Sequence, residues 1–167
     1  MANTQTTQIV MFDGTAPLLH VPVAGSQTLV VGDFVYLASG LATKSAAPSA
    51  TINTDQLPYG VVQGASTLAT AGKFIKVVPL FPFVYLALPT YGATPALTQL
   101  CIATGNPIYN DAGVYKVDVS STTKPIVKPI QYFYEDFVSK LDPTKQKSSY
   151  TVGDRYLCSM IVSQCFS

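Results

Sequence analysis

The chain has no tryptophan, one histidine, three cysteines and one arginine among its 167 residues. Each scarcity removes a class of chemistry. His20 is the lone imidazole, and no two of Cys101, Cys158 and Cys165 stand in CxxC spacing, so no zinc set can be read from the sequence. An odd, sparse set of cysteines is not a disulfide framework; buried thiols of a protein made in a reducing cytoplasm fit better. A catalytic His20 would need a nucleophile and an orienting partner, and neither is recognisable. The alternative is a half-buried strand residue.

Charge is also scarce. Charged residues make up 11% of the chain, against about 25% in ordinary soluble domains. The 10 basic and 9 acidic residues nearly cancel, which leaves no field to steer nucleic acid. A loose group of lysines (124, 128, 140, 145 and 147) reads as solvated loop. Asp13, Asp33, Asp111 and Asp154 all sit at turn positions, where Asp accepts local backbone hydrogen bonds. Glu135 and Asp136 are adjacent and point apart on a helix, so they do not face each other across a cleft. No P-loop, GxGxxG, HExxH or GxSxG occurs. No catalytic residue, cofactor or metal is expected, and the chain is not expected to be an enzyme.

Long apolar runs are missing too. The most apolar segment, VVPLFPFVYLAL at 77–88, has 12 residues, against roughly 20 for a membrane-spanning helix. Pro79 and Pro82 interrupt it, so no membrane partner is expected. The N-terminal MANTQTTQIV has no basic and no apolar region of the secretory kind, so no signal is expected. High apolar content with little charge and no span implies a surface covered in the working state, as in oligomers and lattices.

What is present reads as β structure. The chain is organised around residues 77–110, which hold no charged residue, and their core reading is a central strand pair. The loop 89–95 (PTYGATP), with Tyr91 beside Gly92, reads alternatively as a contact with another subunit. Ahead of this stretch, 9–12 and 18–23 (LLHVPV) read as short strands. The segment 46–56 is a Ser/Thr/Ala-rich loop. PYGVVQ at 58–63 and KFIKVV at 73–78 read as strands, and YLCSMIV at 156–162 as a closing strand. Gly32-Asp33-Phe34-Val35-Tyr36 with Ser39-Gly40, and Gly105-Asn106-Pro107-Ile108-Tyr109 with Ala112-Gly113, follow one pattern. A lysine, Lys44 or Lys116, closes each. The echo suggests two related hairpin units.

Residues 120–149 read as an insertion. Within it Phe133, Phe137 and Leu141 recur at i, i+4 and i+8, which predicts a short helix over 131–141, stopped by Asp142-Pro143. That helix either caps the β-core or presents an aromatic foot to a partner. The expected interface residues are Tyr91, Tyr132, Phe133, Tyr134 and Phe137. The expected fold is all-β: a compact β-barrel or β-sandwich of short antiparallel strands with one short helix. An N-terminal arm and first strands occupy 1–26, and a single β-domain occupies 27–167.

The run VVGDFVYLASGLATK, then PYGVVQGAS, then AGKFIKVVP, resembles the small decoration or cement proteins of tailed-bacteriophage capsids over about 30–79, and more faintly at 105–116. That resemblance implies a homotrimer on the capsid exterior, with the major capsid protein and itself as partners and no nucleic acid. It implies a structural virion protein, made in the bacterial host cytoplasm, that stabilises the shell. The competing reading is a carbohydrate- or receptor-binding β-module of a phage fibre or tail, with Tyr91, Tyr132 and Tyr134 stacking on sugar rings.

Overall fold

Two dipeptides set the local structure of two hairpins. Ser39 and Gly40 have φ of +50° and +80°, and Ala112 and Gly113 have +51° and +97°. Positive φ at both central residues is the two-residue turn whose twist matches that of paired strands. The computed structural model describes residues 8–10, 17–64, 71–82, 84–94, 96, 100, 104–133, 144 and 151–166. Its strands are Gln8–Val10 (β1), Leu19–Pro22 (β2), Phe34–Ala38 (β3), Leu41–Lys44 (β4), Ala50–Thr51 (β5), Gly60–Val62 (β6), Phe74–Pro79 (β7), Tyr85–Tyr91 (β8), Ile108–Asp111 (β9), Val114–Asp118 (β10), Val127–Tyr132 (β11) and Arg155–Met160 (β12). A 3-10 turn spans Thr54–Gln56. The fold is all-β.

The strands form a five-stranded sheet, β2-β7-β6-β3-β4, and a seven-stranded sheet, β11-β12-β8-β10-β9-β5 with β1 alongside β8. The first closes on itself. Past the end of β2, Val23 bridges Ala42 of β4 in parallel, and Ala24 N donates to Ala42 O at 3.0 Å. Gln27 seals that seam: its Nε2 donates to Ala24 O (2.8 Å) and Ala42 O (2.9 Å), and its Oε1 accepts from Lys44 N (3.1 Å).

The second sheet repeats this plan. β8 stands where β2 stands, β12 where β7 stands, β11 where β6 stands, and the β9–β10 hairpin where the β3–β4 hairpin stands. The closing pair is again parallel, Val117 and Asp118 beside Thr90 and Tyr91. The other seam is bridged by Asn106 and Val127. The hairpins share one register, Val35 opposite Lys44 and Ile108 opposite Val117. The detail persists at the turns. Val23 N donates to Lys73 O at 2.9 Å where Thr90 N donates to Asp154 O at 3.0 Å. Pro22 and Pro89 precede those two donors. The resemblance between the two hairpins therefore extends to two five-strand units of the same topology.

Alternation along the strands divides the core. Val35 and Val62 point into the closed barrel with Val21, Val23, Leu29, Ala42, Ile75 and Val77. Their neighbours Phe34 and Val61 point the other way, onto Leu86, Leu88, Ile108, Tyr115, Val117 and Tyr156 of the second sheet. This shared cluster makes the two units one packed body. Phe34 and Tyr115 meet there with ring centroids 4.9 Å apart. The last residues tie the units again: Ser163 Oγ donates to Leu80 O at 2.7 Å, and the Gln164 side chain bonds both N (2.6 Å) and O (3.2 Å) of Leu37.

Several expectations change. The uncharged stretch 77–110 is not a strand pair: β7 ends in one sheet at Pro79 and β8 begins in the other at Tyr85, so this segment hands the chain from unit to unit. The segment read as a loop at 46–56 carries β5 and the 3-10 turn. His20 is exposed rather than half-buried. Residues 127–132, expected within an insertion, form β11 and pair with β12. The helix expected over 131–141 begins as strand at Gln131 and Tyr132; 134–143 lie outside the described residues. At Gln131 and Tyr132 the local period competed with the antiparallel pairing to β12, which resumes there after a register shift at Pro129, and tertiary pairing prevailed at those two residues.

Candidate interaction surface

β8, β9, β11 and β12 place aromatic residues that are far apart in sequence on neighbouring strands. Tyr91 closes β8, and its ring stacks on Tyr109 of β9 with centroids 4.3 Å apart and planes 19° apart. Both rings are half-buried. The hydrogen bond to Tyr109, with Asp111 and Asp118 close by, holds the Tyr91 hydroxyl above the usual tyrosine range. Gly92, at φ +87°, follows directly. A Cβ there would overlap Ser120 Oγ and lie 2.6 Å from Asp118 Oδ1, so only glycine lets the Asp118–Ser120 turn close against this platform. In that turn Asp118 Oδ1 accepts from Ser120 N at 3.0 Å and Ser120 Oγ at 2.6 Å. Lys116 Nζ pairs with Asp111 Oδ2 at 2.7 Å, which neutralises the nearest charge.

On the far side of β8, Arg155 lies opposite Pro89, and its guanidinium sits 5.1 Å above the centre of the Phe133 ring. Partial burial lowers Arg155 from its ordinary range. Tyr132 takes another path. It is 9% exposed, tilts against Tyr156 at 5.1 Å and belongs to the core, so it offers no face to a sugar or a partner. The expected five thus separate: Tyr91 and Phe133 reach one end of the sheet, Tyr132 turns inward, and Tyr134 and Phe137 lie outside the described residues. Tyr109 was missed as a site residue. Its only sequence signal was its place in the repeated hairpin, and its partner in the stack comes from another strand.

The comparison of the two units marks this platform as local. Tyr36 occupies the place of Tyr109 in the first unit, but Ala24 stands where Tyr91 stands, so no stack forms there. The two described thiols are not activated. Burial pushes both Cys158 and Cys165 up, so neither is poised as a thiolate. Among the described residues no group of three His, Cys, Asp or Glu converges, and no helix is long and apolar enough to cross a membrane. Neither a family model nor a curated protein matches the chain.

Proposed function

We propose that this chain is a structural virion protein that binds the exterior of a phage capsid as an oligomer, with the major capsid protein as its partner, and stabilises the shell. The observation that carries the reading is the resemblance over 30–79, a segment that supplies β3, β4, β6 and β7 of the closed barrel. Two fused units with tight turns and a shared core make a stiff body, which suits a clamp better than a moving catalyst. The platform of Tyr91 and Tyr109 has the aromatic composition of an interface core. Threefold assembly and synthesis in a bacterial host follow from the same resemblance and stand with it. The chain has no catalytic role in this reading.

The test is quantitative mass spectrometry of purified particles from the source of the gene. Copies near stoichiometric with the major capsid protein support decoration. A few copies per particle favour the second reading, a receptor- or carbohydrate-binding module of a fibre or tail. The stacked pair Tyr91–Tyr109 favours that alternative, because its outer faces can stack on sugar rings; binding on a glycan array separates the two. Absence from particles overturns both.

A further inference from the structure

We propose that the outer edge of β2, residues 18–21, accepts a strand, and that its occupant is the same edge of a second copy of this chain, the two β2 strands running antiparallel across a twofold axis. The inference does not rest on the capsid reading. β2 pairs with β7 from Leu19 to Pro22. On its other side the described pairing begins only at Val23, beyond the strand, where Ala42 closes the barrel. No described residue pairs with the outer side of Leu19–Val21.

The second unit contains the same edge, and there it is filled. Leu86 of β8 stands where Leu19 stands, since Leu19 faces Val77 as Leu86 faces Cys158, the matching residues of β7 and β12. Along Tyr85–Ala87, just ahead of the point where β10 takes over at Thr90, β1 lies antiparallel: Gln8 opposite Ala87, Ile9 opposite Leu86, Val10 opposite Tyr85. One chain therefore holds two equivalent edges, one covered by its own first strand and one without a partner among the described residues. β1 is already used, so it cannot cover both.

Apolar exposure concentrates at the bare edge. Leu18 is 46% exposed, Leu19 40%, and Phe74, opposite Pro22 on the adjoining strand, 66%. Phe74 is the most exposed large apolar side chain described. Natural edges are guarded by charge, proline or a bulge. The segment LLHVPV has no Asp, Glu, Lys or Arg, and its one proline stands at the far end. The missing charge also makes the edge compatible with itself: an identical strand laid antiparallel meets no like charge, and a twofold contact is self-complementary. Pairing would join β7-β2 of one copy to β2-β7 of the other, with each Phe74 one strand from the junction.

A twofold contact closes at two, so threefold assembly would need a different surface. Sedimentation equilibrium of the full chain tests this. The expected species is a dimer, twice the 17.8 kDa chain mass. Leu19→Lys and Phe74→Ser should each raise the dissociation constant at least tenfold. Val152→Lys, at a position 53% exposed in the other unit, should leave it unchanged. Amide exchange at 18–21 should slow as wild-type concentration rises, a readout that needs no variant. A wild-type monomer or trimer, a dimer insensitive to both edge substitutions, or exchange at 18–21 independent of concentration overturns the proposal.

Discussion

Asp33 and Asn106 occupy the same place in the two units, each directly after a glycine of positive φ (Gly32 at +94°, Gly105 at +73°) and each buried, at 1% and 0% exposure. They solve the same problem with different chemistry. Asn106 Nδ2 donates to Asp118 O (3.2 Å) and Ser121 O (2.8 Å), pinning the strand end that follows its hairpin. Asp33 Oδ2 accepts from Val30 N at 2.9 Å and pairs with Lys44 Nζ, also at 2.9 Å. A charge stands in the first unit where an amide suffices in the second, and the charge depends on its partner.

Removing that partner should therefore be costly. Lys44→Met leaves a buried carboxylate without its cation, a loss of about 3 kcal/mol by urea denaturation. Adding Asp33→Asn to that variant should restore most of it, since the amide oxygen still accepts from Val30 N. A single variant within about 1 kcal/mol of wild type would show that Asp33 does not rely on Lys44.

Gly60 is confined by packing between β3 and β7. A Cβ there would overlap Val77 Cγ1 and approach Val78 O to 2.7 Å. Gly60→Ala should cost about 1–3 kcal/mol through overpacking at the barrel wall. The urea midpoint checks it, and an unchanged midpoint would mean that the barrel wall yields freely.

Stability should fall in alkali. Burial, with Asp33 nearby, pushes the Tyr115 hydroxyl up, and burial pushes the Cys158 thiol up. The folded chain therefore keeps these protons above the pH at which the unfolded chain loses them, about 8.5 for Cys and about 10 for Tyr. Their contribution is complete below those values and is lost above them, by up to about 1.4 kcal/mol per pH unit for each group. Melting temperatures from pH 7 to 11 should be flat to about pH 8 and then decline, with Tyr115→Phe softening the upper part. A flat profile to pH 11 contradicts the assignment.

The Tyr91–Tyr109 stack should matter more to partners than to folding. Tyr91→Ser removes an aromatic pair worth about 1 kcal/mol, or about 2–4 °C in melting temperature. On the proposed capsid reading, binding to purified shells should weaken at least tenfold. Equal shell binding by wild type and variant would remove this platform from the contact.

Most strands and both hairpins were legible from the residues. Val35-Tyr36-Leu37 and Ile108-Tyr109 carry β-formers, and Gly40 and Gly113 supply the positive φ their turns require. These are properties of a few consecutive residues, so a single chain displays them. The site was legible in part. Tyr91 beside Gly92 signalled a contact, whereas the burial of Tyr132 and the arrival of Tyr109 depend on strands that meet from distant positions.

By itself the sequence determined the all-β class, the turn positions and the scarcity of charge, because turn chemistry and side-chain alternation are local and composition belongs to the chain as a whole. Tertiary structure alone decided that β7 and β8 part into different sheets, that the two units share one topology, and that among the described residues a strand covers Leu86 on its second side and none covers Leu19. Strand pairing is a competition among non-local ladders, settled by which apolar faces can be buried together. No short window of residues contains that competition.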